Sequence, residues 1–404
     1  MELTKNPSLT ERVSYEISRE ELLRRQNALF DEVKKQGGDH LVIFGPTTIF
    51  YLSNFVFLPT ERPIILVINS DGHRVLFAPS LEKGHAEGEK AFIDQVIYYP
   101  EYPSEIHPMV RFAKSLIELG LEKATIAVDS DGYSSSWGYH GPKLSEVVPE
   151  AKIIDCADII EKLRMIKSAE EIALIRESVR WGNLAQALLQ EYSKPGCTEN
   201  EVKVRASMEA ALAMMRTMGS SFKGTEVDTG FNGQIGPNSA THTQSITNAT
   251  LKMGDNLISH AGSRVFGYRG ELDRTMFMGE PNAKQKHFFD LMLQIQDTAF
   301  AAIKPGHPCS EVDKAVRNFF EKNNMWAYWH HHVGHGLGLM VHEVPFFDIG
   351  DKTIMKPGMV ISVEPGVYVE GLGGFRHSDT IVVTETGMDI LTYYPRDLAS
   401  LICG

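Results

Sequence analysis

Five histidines fall between residues 330 and 345, in "HHHVGHGLGLMVHEVP". Imidazole both ligates metals and exchanges protons near neutral pH, so this run suits a metal cluster, a proton-transfer and substrate site, or simple packing. The surrounding sequence carries more groups of the same use. They are His242 in "SATHT", His260, Glu271 and Asp273 in "ISHAGSRVFGYRGELDRT", Glu364 in "ISVEPGVY", and His377, Ser378 and Asp379 in "GGFRHSDT". A single histidine is more often a satisfied core or surface residue. Glu364 is harder to explain that way, because it follows an apolar strand pattern and a buried carboxylate costs several kcal/mol unless a cation, metal or donor meets it.

The elements that must position these groups follow from periodicity. A chain of 404 residues exceeds one ordinary core, which stops growing near ~250–300 residues, so two domains are expected. "REELLRRQNALFDEVKKQG" has helical apolar spacing and stops at Gly37 and Gly38. "HLVIFG", "RPIILVI", "HRVLFAP", "ATIAVD" and "AKIIDC" read as strands, the second and third joined by the turn "NSDG". These make a small N-terminal α/β domain over residues 1–164. Ser168 with Glu171 forms a capping box, and Ile172, Ile175 and Val179 begin the stripe of a long helix that opens a second domain, 165–404. Within it, "KPGCTENEV" from Lys194 and "KPGHPCSEV" from Lys304 share a Lys-Pro-Gly stop and a capped helix start, at Thr198 with Glu201 and at Ser310 with Asp313. An internal α/β duplication would set a site between its halves.

Composition narrows the partners. The net charge of −12 lacks the basic field that nucleic acid or an anionic membrane surface requires, so a small-molecule substrate is expected. Cys156, Cys197, Cys309 and Cys403 lie far apart and form no C-x-x-C pair, which argues against a disulfide framework or thiolate zinc site and for a cytoplasmic protein. The charged N-terminus has no apolar signal region, and nowhere do about 18 apolar residues run together as a membrane span needs.

"GYRGELDRT", "GHGLGLMVHEVP", "KPGMVISVEPGVY" and "GGFRHSDTIVVTETG" resemble, in order and spacing, successive motifs of the pita-bread family, which includes methionine aminopeptidase, aminopeptidase P, prolidase and creatinase. The resemblance spans nearly all of 165–404, and "MIKSAEEI" and the N-terminal domain are similar to the two-domain members. It implies an α/β (α+β) architecture whose C-terminal domain has two pseudo-symmetric halves curving around a central site. The family's peptidases hold two metal ions with two aspartates, one histidine and two glutamates. Motif for motif, these positions are His260, Glu271, His335, Glu364 and Ser378 here. A neutral hydroxyl cannot replace a bridging acid without losing charge compensation, so a dinuclear site is not expected.

The resemblance then points to the creatinase-like, metal-independent members. It implies a hydrolase that cleaves a C–N bond in a small, cationic or amidine-like, carboxylate-bearing non-peptide substrate. His242, His335, His342 and Glu364 would be catalytic, with His242 passing protons. Arg62, Arg269, Glu271, Asp273, Phe346 and His377 would contact substrate, with Arg62 reaching the partner's site in a homodimer. No cofactor is expected on this reading. The departures at Thr60, Arg269, Phe346 and Ser378 set creatine itself aside. The alternative is a metal-dependent Xaa-Pro aminopeptidase or dipeptidase with one iron, manganese or zinc ion on His260, Glu271, His335 and Glu364. A third reading is a non-catalytic binding module of the same fold. His330, His331 and His332 would form a wall of the site or donate to its ligands.

Overall fold

The structure is a computed structural model describing residues 14–88, 91–133, 138–221, 225–241 and 247–404. His242 lies outside the described residues. Contacts divide the chain into two compact units, Glu16–Arg164 and Met165–Gly404, with Ser14 and Tyr15 joining the second.

The first unit runs α1 (Arg19–Lys35), β1 (His40–Ile43), α2 (Pro46–Ser53), β2 (Ile65–Ile68), β3 (Arg74–Pro79), α3 (Lys83–Gly88), β4 (Gln95–Tyr99), α4 (Pro108–Glu118), β5 (Thr125–Val128), α5 (Leu144–Val147), β6 (Lys152–Asp155) and α6 (Ala157–Met165). Its sheet has the order β4-β3-β2-β1-β5-β6. The strands β1, β2 and β5 are apolar on both faces and almost wholly buried, as a sheet covered on both sides requires. Ser18 caps α1 by accepting from the amide of Glu21, and Leu22, Leu29 and Val33 carry its buried stripe.

The second unit contains α7 (Ala169–Tyr192), α8 (Glu199–Met218), β7 (Glu226–Gly230), β8 (Asn256–Val265), β9 (Tyr268–Met278), α9 (Ala283–Ala302), α10 (Ser310–Lys322), β10 (Gly334–Gly336), β11 (Glu343–Phe347), β12 (Val360–Val363), β13 (Gly366–Val369), β14 (Gly373–Arg376), β15 (Ser378–Val383), β16 (Met388–Ile390) and β17 (Ile402–Cys403). The main sheet runs β11-β10-β12-β15-β9-β8-β7, and β13 pairs with β14 beside it. The capping box at Ser168 and Glu171 forms, and α7 packs its buried Ile175 and Val179 side against β8 and β9. No helix among the described residues is long and apolar enough to cross a membrane.

The duplication is visible in the backbone. Gly196 donates to Leu251 O at 2.9 Å, and Gly306 donates to Met355 O at 2.9 Å. The antiparallel bridges Thr198–Thr250 and Pro308–Ile354 follow in the same places. The second helix start differs from the expectation. Cys309 takes the cap position without a side-chain hydrogen bond, and Ser310 is already inside α10.

Candidate active site

The site is built on the hairpin of β8 and β9. Phe266 and Gly267 both have positive φ, 45° and 83°, the backbone of a two-residue turn whose twist matches its strands. That turn fixes the register, pairing His260 with Asp273, Gly262 with Glu271 and Arg264 with Arg269. Side chains alternate across a strand, so all six residues share one face. The opposite face is held by α7, where a Cβ on Gly270 would lie 2.7 Å from Val179 Cγ2 and where Ser263 Oγ donates to Ser178 O.

His335 enters from β10, squeezed between β11 and β12. A Cβ at Gly334 would stand 2.0 Å from Ser362 O, and one at Gly336 would stand 2.5 Å from Val344 O. Only glycine fits on either side, which accounts for the sequence Gly-His-Gly. His335 donates from Nδ1 to Gly336 O at 3.1 Å and turns Nε2 toward Glu364 Oε1 at 3.2 Å and Glu271 Oε2 at 3.9 Å. The ring of His342 lies 3.9 Å from that of His335.

β14 and β15 supply the remaining groups. Arg376 donates to Asp273 Oδ2 from Nε at 2.8 Å and from Nη2 at 2.5 Å, while Asp273 Oδ1 meets His260 Nδ1 at 3.0 Å. Ser378 and Ser362 both donate toward Glu271 Oε1, at 3.3 and 3.4 Å, and lie 2.6 Å from each other. Arg376 Nη1 also donates to the hydroxyl of Tyr368 at 3.3 Å, which in turn meets His331 Nε2 at 2.8 Å.

Charge is unevenly compensated in this pocket. Burial opposes the charged form of His335, but the Glu364 hydrogen bond and the two carboxylates outweigh it and raise its pKa to about 9. Burial also opposes charge on His260, yet Asp273 raises it to about 9. Glu364 is held well below the usual carboxylate range, with His335 and Arg376 overcoming its burial. Arg376 and His260 likewise hold Asp273 down against its burial. Glu271 moves the other way, pushed up by burial and by the charge of Glu364. Burial and the neighbouring His335 lower His342.

Several expected residues meet here and others do not. His260, Glu271, Asp273, His335, His342 and Glu364 converge. Asp273 was expected to contact substrate, but both its oxygens are engaged by His260 and Arg376. His377 is corrected as a substrate contact. Strand alternation turns it away from Arg376 and Ser378 into the core, its ring 5.4 Å from that of Phe289, with neither nitrogen hydrogen-bonded to the described residues. Phe346 pairs in register with His335 and packs on His332. Arg269 lines a small, partly open cavity beside His260 and Glu271. Arg62 belongs to the first unit and pairs with Glu61. His330 stacks on Tyr368 at 4.7 Å between centroids, so His330, His331 and His332 form a wall. Arg376, Tyr368 and Ser362 escaped the sequence reading. Arg376, a lone cation in "GGFRHSDT", was the signal that an internal charge partner existed.

Comparison with known proteins fits this geometry. Residues 173–385 match metallopeptidase family M24, and residues 25–166 match the creatinase/prolidase N-terminal domain. The chain belongs to metallopeptidase family M24, and it is a hydrolase of C–N bonds in the pita-bread fold. It is 29% identical over 371 residues, 91% of this chain and 98% of the relative, to an uncharacterized peptidase of Staphylococcus aureus (strain bovine RF122 / ET3-1). The crystal structure of the prolidase from Pyrococcus horikoshii OT3 is 26% identical with a TM-score of 0.76, covering 93% of this chain and 99% of that one. A dipeptidase structure from the same organism is 27% identical with a TM-score of 0.77, covering 93% and 99%.

Two expectations are thereby corrected. The relatives are a peptidase, a prolidase and a dipeptidase, not amidine hydrolases, so the creatinase-like reading gives way to its peptidase alternative. The cofactor-free reading is overturned by the metallopeptidase family and by the donor set itself. Ligand atoms of Glu271, His335 and Glu364 all lie within 4.8 Å of one another, and so do those of His260, Glu271 and Asp273. Two carboxylates and an imidazole, all buried, fit a divalent cation. The expectation erred because it weighed the lost acid at Ser378 more heavily than the three ligands that remain.

Proposed function

We propose that the protein is a metal-dependent peptidase of short peptides, of the Xaa-Pro dipeptidase or aminopeptidase type, using one divalent ion held by Glu271, His335 and Glu364. The observation that carries this is the convergence of those three buried ligands beside Asp273, whose oxygens are already shared by His260 and Arg376. The neutral Ser378 supplies no charge for a second cation. Iron, manganese or zinc suits the mixed nitrogen and oxygen donors. Such an ion supplies Lewis acidity and lowers the pKa of water.

The chain's own groups have distinct parts. The Nδ1 bond to Gly336 O fixes the tautomer of His335 and aims Nε2 at the carboxylates. Ser378 and Ser362 orient Glu271 by donating to Oε1. His342, its pKa lowered, is neutral at pH 7 and can give or take a hydrogen bond at the substrate carbonyl. Arg376, Tyr368 and His331 form a bonded wall that keeps these groups in place.

The proposal includes a cytoplasmic homodimer with Arg62 contributed toward the partner's site. Support comes from four free cysteines, the one-third exposure of Arg62, and an exposed stripe of Val204, Met208, Leu212 and Met215 on α8 that a second copy could cover. Assays of the purified protein with Xaa-Pro dipeptides, with other dipeptides and with creatine test the reaction class. Hydrolysis of dipeptides that is lost on chelation and restored by one of the three metals is expected, and turnover of creatine alone overturns it.

A further inference from the structure

The face of the β8–β9 hairpin that carries the ligands also carries a charge arrangement the chemistry so far does not use. Going outward from Asp273 and His260, the next cross-strand pair is Glu271 with Gly262, and the next is Arg269 with Arg264. Like charges directly opposite each other in a sheet cost stability, so an arginine pair at a rim calls for a reason. One carboxylate serves both. Glu226 lies opposite Arg264 in register and accepts from it at 2.7 Å, leaving Arg269 at 3.8 Å. The next acid along β7, Asp228, is engaged by Lys203 at 3.3 Å. Positive charge is thus in excess at this rim.

The space in front of Arg269 is built to receive something. Arg269 lines a cavity with His260 and Glu271 on one side and the apolar Leu337 and Val341 on the other. Opposite Glu271 stands Gly262, where a Cβ would come within 3.8 Å of His260 Nε2, so any side chain there would project into this space. The backbone amide of Arg269 is anchored to Gly338 O at 2.8 Å, which fixes the base of the side chain relative to the loop after β10.

We propose that Arg269, supported by Arg264, forms a carboxylate-binding subsite that selects peptides whose leaving residue bears a negative charge, and that Leu337 and Val341 pack against the apolar part of that residue. This rests on the peptidase reading of the neighbouring ligands. Two residues along a strand advance about 6.8 Å, so Arg269 sits one step outward from Glu271. An extended residue spans about 3.5 Å beyond a scissile bond, and the arginine side chain covers the remainder. A guanidinium pairs two-point with a carboxylate, which a lysine cannot reproduce. The charge can be the free C-terminus or an acidic side chain of the leaving residue.

Ala-Pro, Ala-Pro-amide and Ala-Glu-amide separate these cases. With the metal-loaded native protein, kcat/KM for a carboxylate-bearing substrate is expected to exceed that for Ala-Pro-amide about tenfold or more, and Arg269→Gln is expected to abolish that preference. Loss confined to Ala-Pro identifies the C-terminus, and loss confined to Ala-Glu-amide identifies the side chain. Arg269→Glu should reverse the preference toward the amide, while an unchanged melting temperature shows that the variant is folded. If Arg269→Gln leaves the ratio of acid to amide unchanged, the subsite is wrong. Equilibrium binding of N-acetylproline against its amide, read without turnover, keeps the two ideas apart. Carboxylate-selective binding that Arg269→Gln removes, in a protein that hydrolyses no peptide, would sustain the subsite and sink the peptidase reading.

Discussion

β9 and β15 carry buried ion pairs on both faces, and the two pairs have opposite characters. On one face Arg274 donates to Asp379 Oδ1 at 2.8 Å and to the carbonyls of Asp273, Ser378, Pro395 and Tyr394. Asp379 also accepts from Thr392 at 2.6 Å and from Gln296 at 2.9 Å. On the other face Arg376 holds Asp273, but Glu271 and Glu364 crowd His335 with only serine hydroxyls and one imidazole to meet them. Both faces are buried. They differ in whether the protein saturates its carboxylates, and the unsaturated face is the one with capacity for a cation and a substrate.

The widest gap between the faces should appear on deletion. Asp379→Ala leaves Arg274 buried and uncompensated and is expected to cost about 3–5 kcal/mol of unfolding free energy. Urea titration checks this, and a loss under about 1 kcal/mol would dissolve the distinction. Glu271→Gln should do the reverse. Burial and Glu364 disfavour its charge, so the chelated variant is expected to melt at or above the temperature of the chelated parent, while metal affinity falls about 100-fold or more. Isothermal titration with manganese, together with the melting temperatures, decides whether function and stability part at this residue.

A smaller effect is expected from pH in the chelated protein. His335 and His260 have folded pKa values raised to about 9. A raised histidine contributes stability that is full below its unfolded pKa of ~6.5 and is lost as pH climbs through the folded value. Stability of the metal-free protein should therefore decline between pH 6.5 and about 9, and His335→Gln should flatten part of that slope. A stability that rises over this range would mean that the site-face carboxylates do not hold these rings charged.

Motif spacing disclosed much of this site and missed its partition. The strands around Glu271, His335 and Glu364 could be read because each ligand sits in a short apolar run with glycines where the chains approach closely, as at Gly334 and Gly336. Which face of a strand is functional could not be read, since "GGFRHSDT" alternates Arg376 and Ser378 inward with His377 and Asp379 outward, and all four are polar. His377 was taken for a substrate contact for that reason. The pairing of Asp273 with Arg376 spans more than 100 residues and depends on tertiary register. The metal was misjudged because one lost acid counted for more than three that stay together.

The central claim is one divalent ion per chain on Glu271, His335 and Glu364, with the second cation's place taken by the Asp273–Arg376–His260 cluster. Native mass spectrometry of protein reconstituted with excess manganese, iron or zinc, run beside Ala-Pro hydrolysis on the same samples, measures it directly. One ion per chain is expected, with hydrolysis proportional to occupancy and both lost in Glu364→Gln. Two ions per chain at saturation, or full hydrolysis by protein stripped of metal, would contradict it.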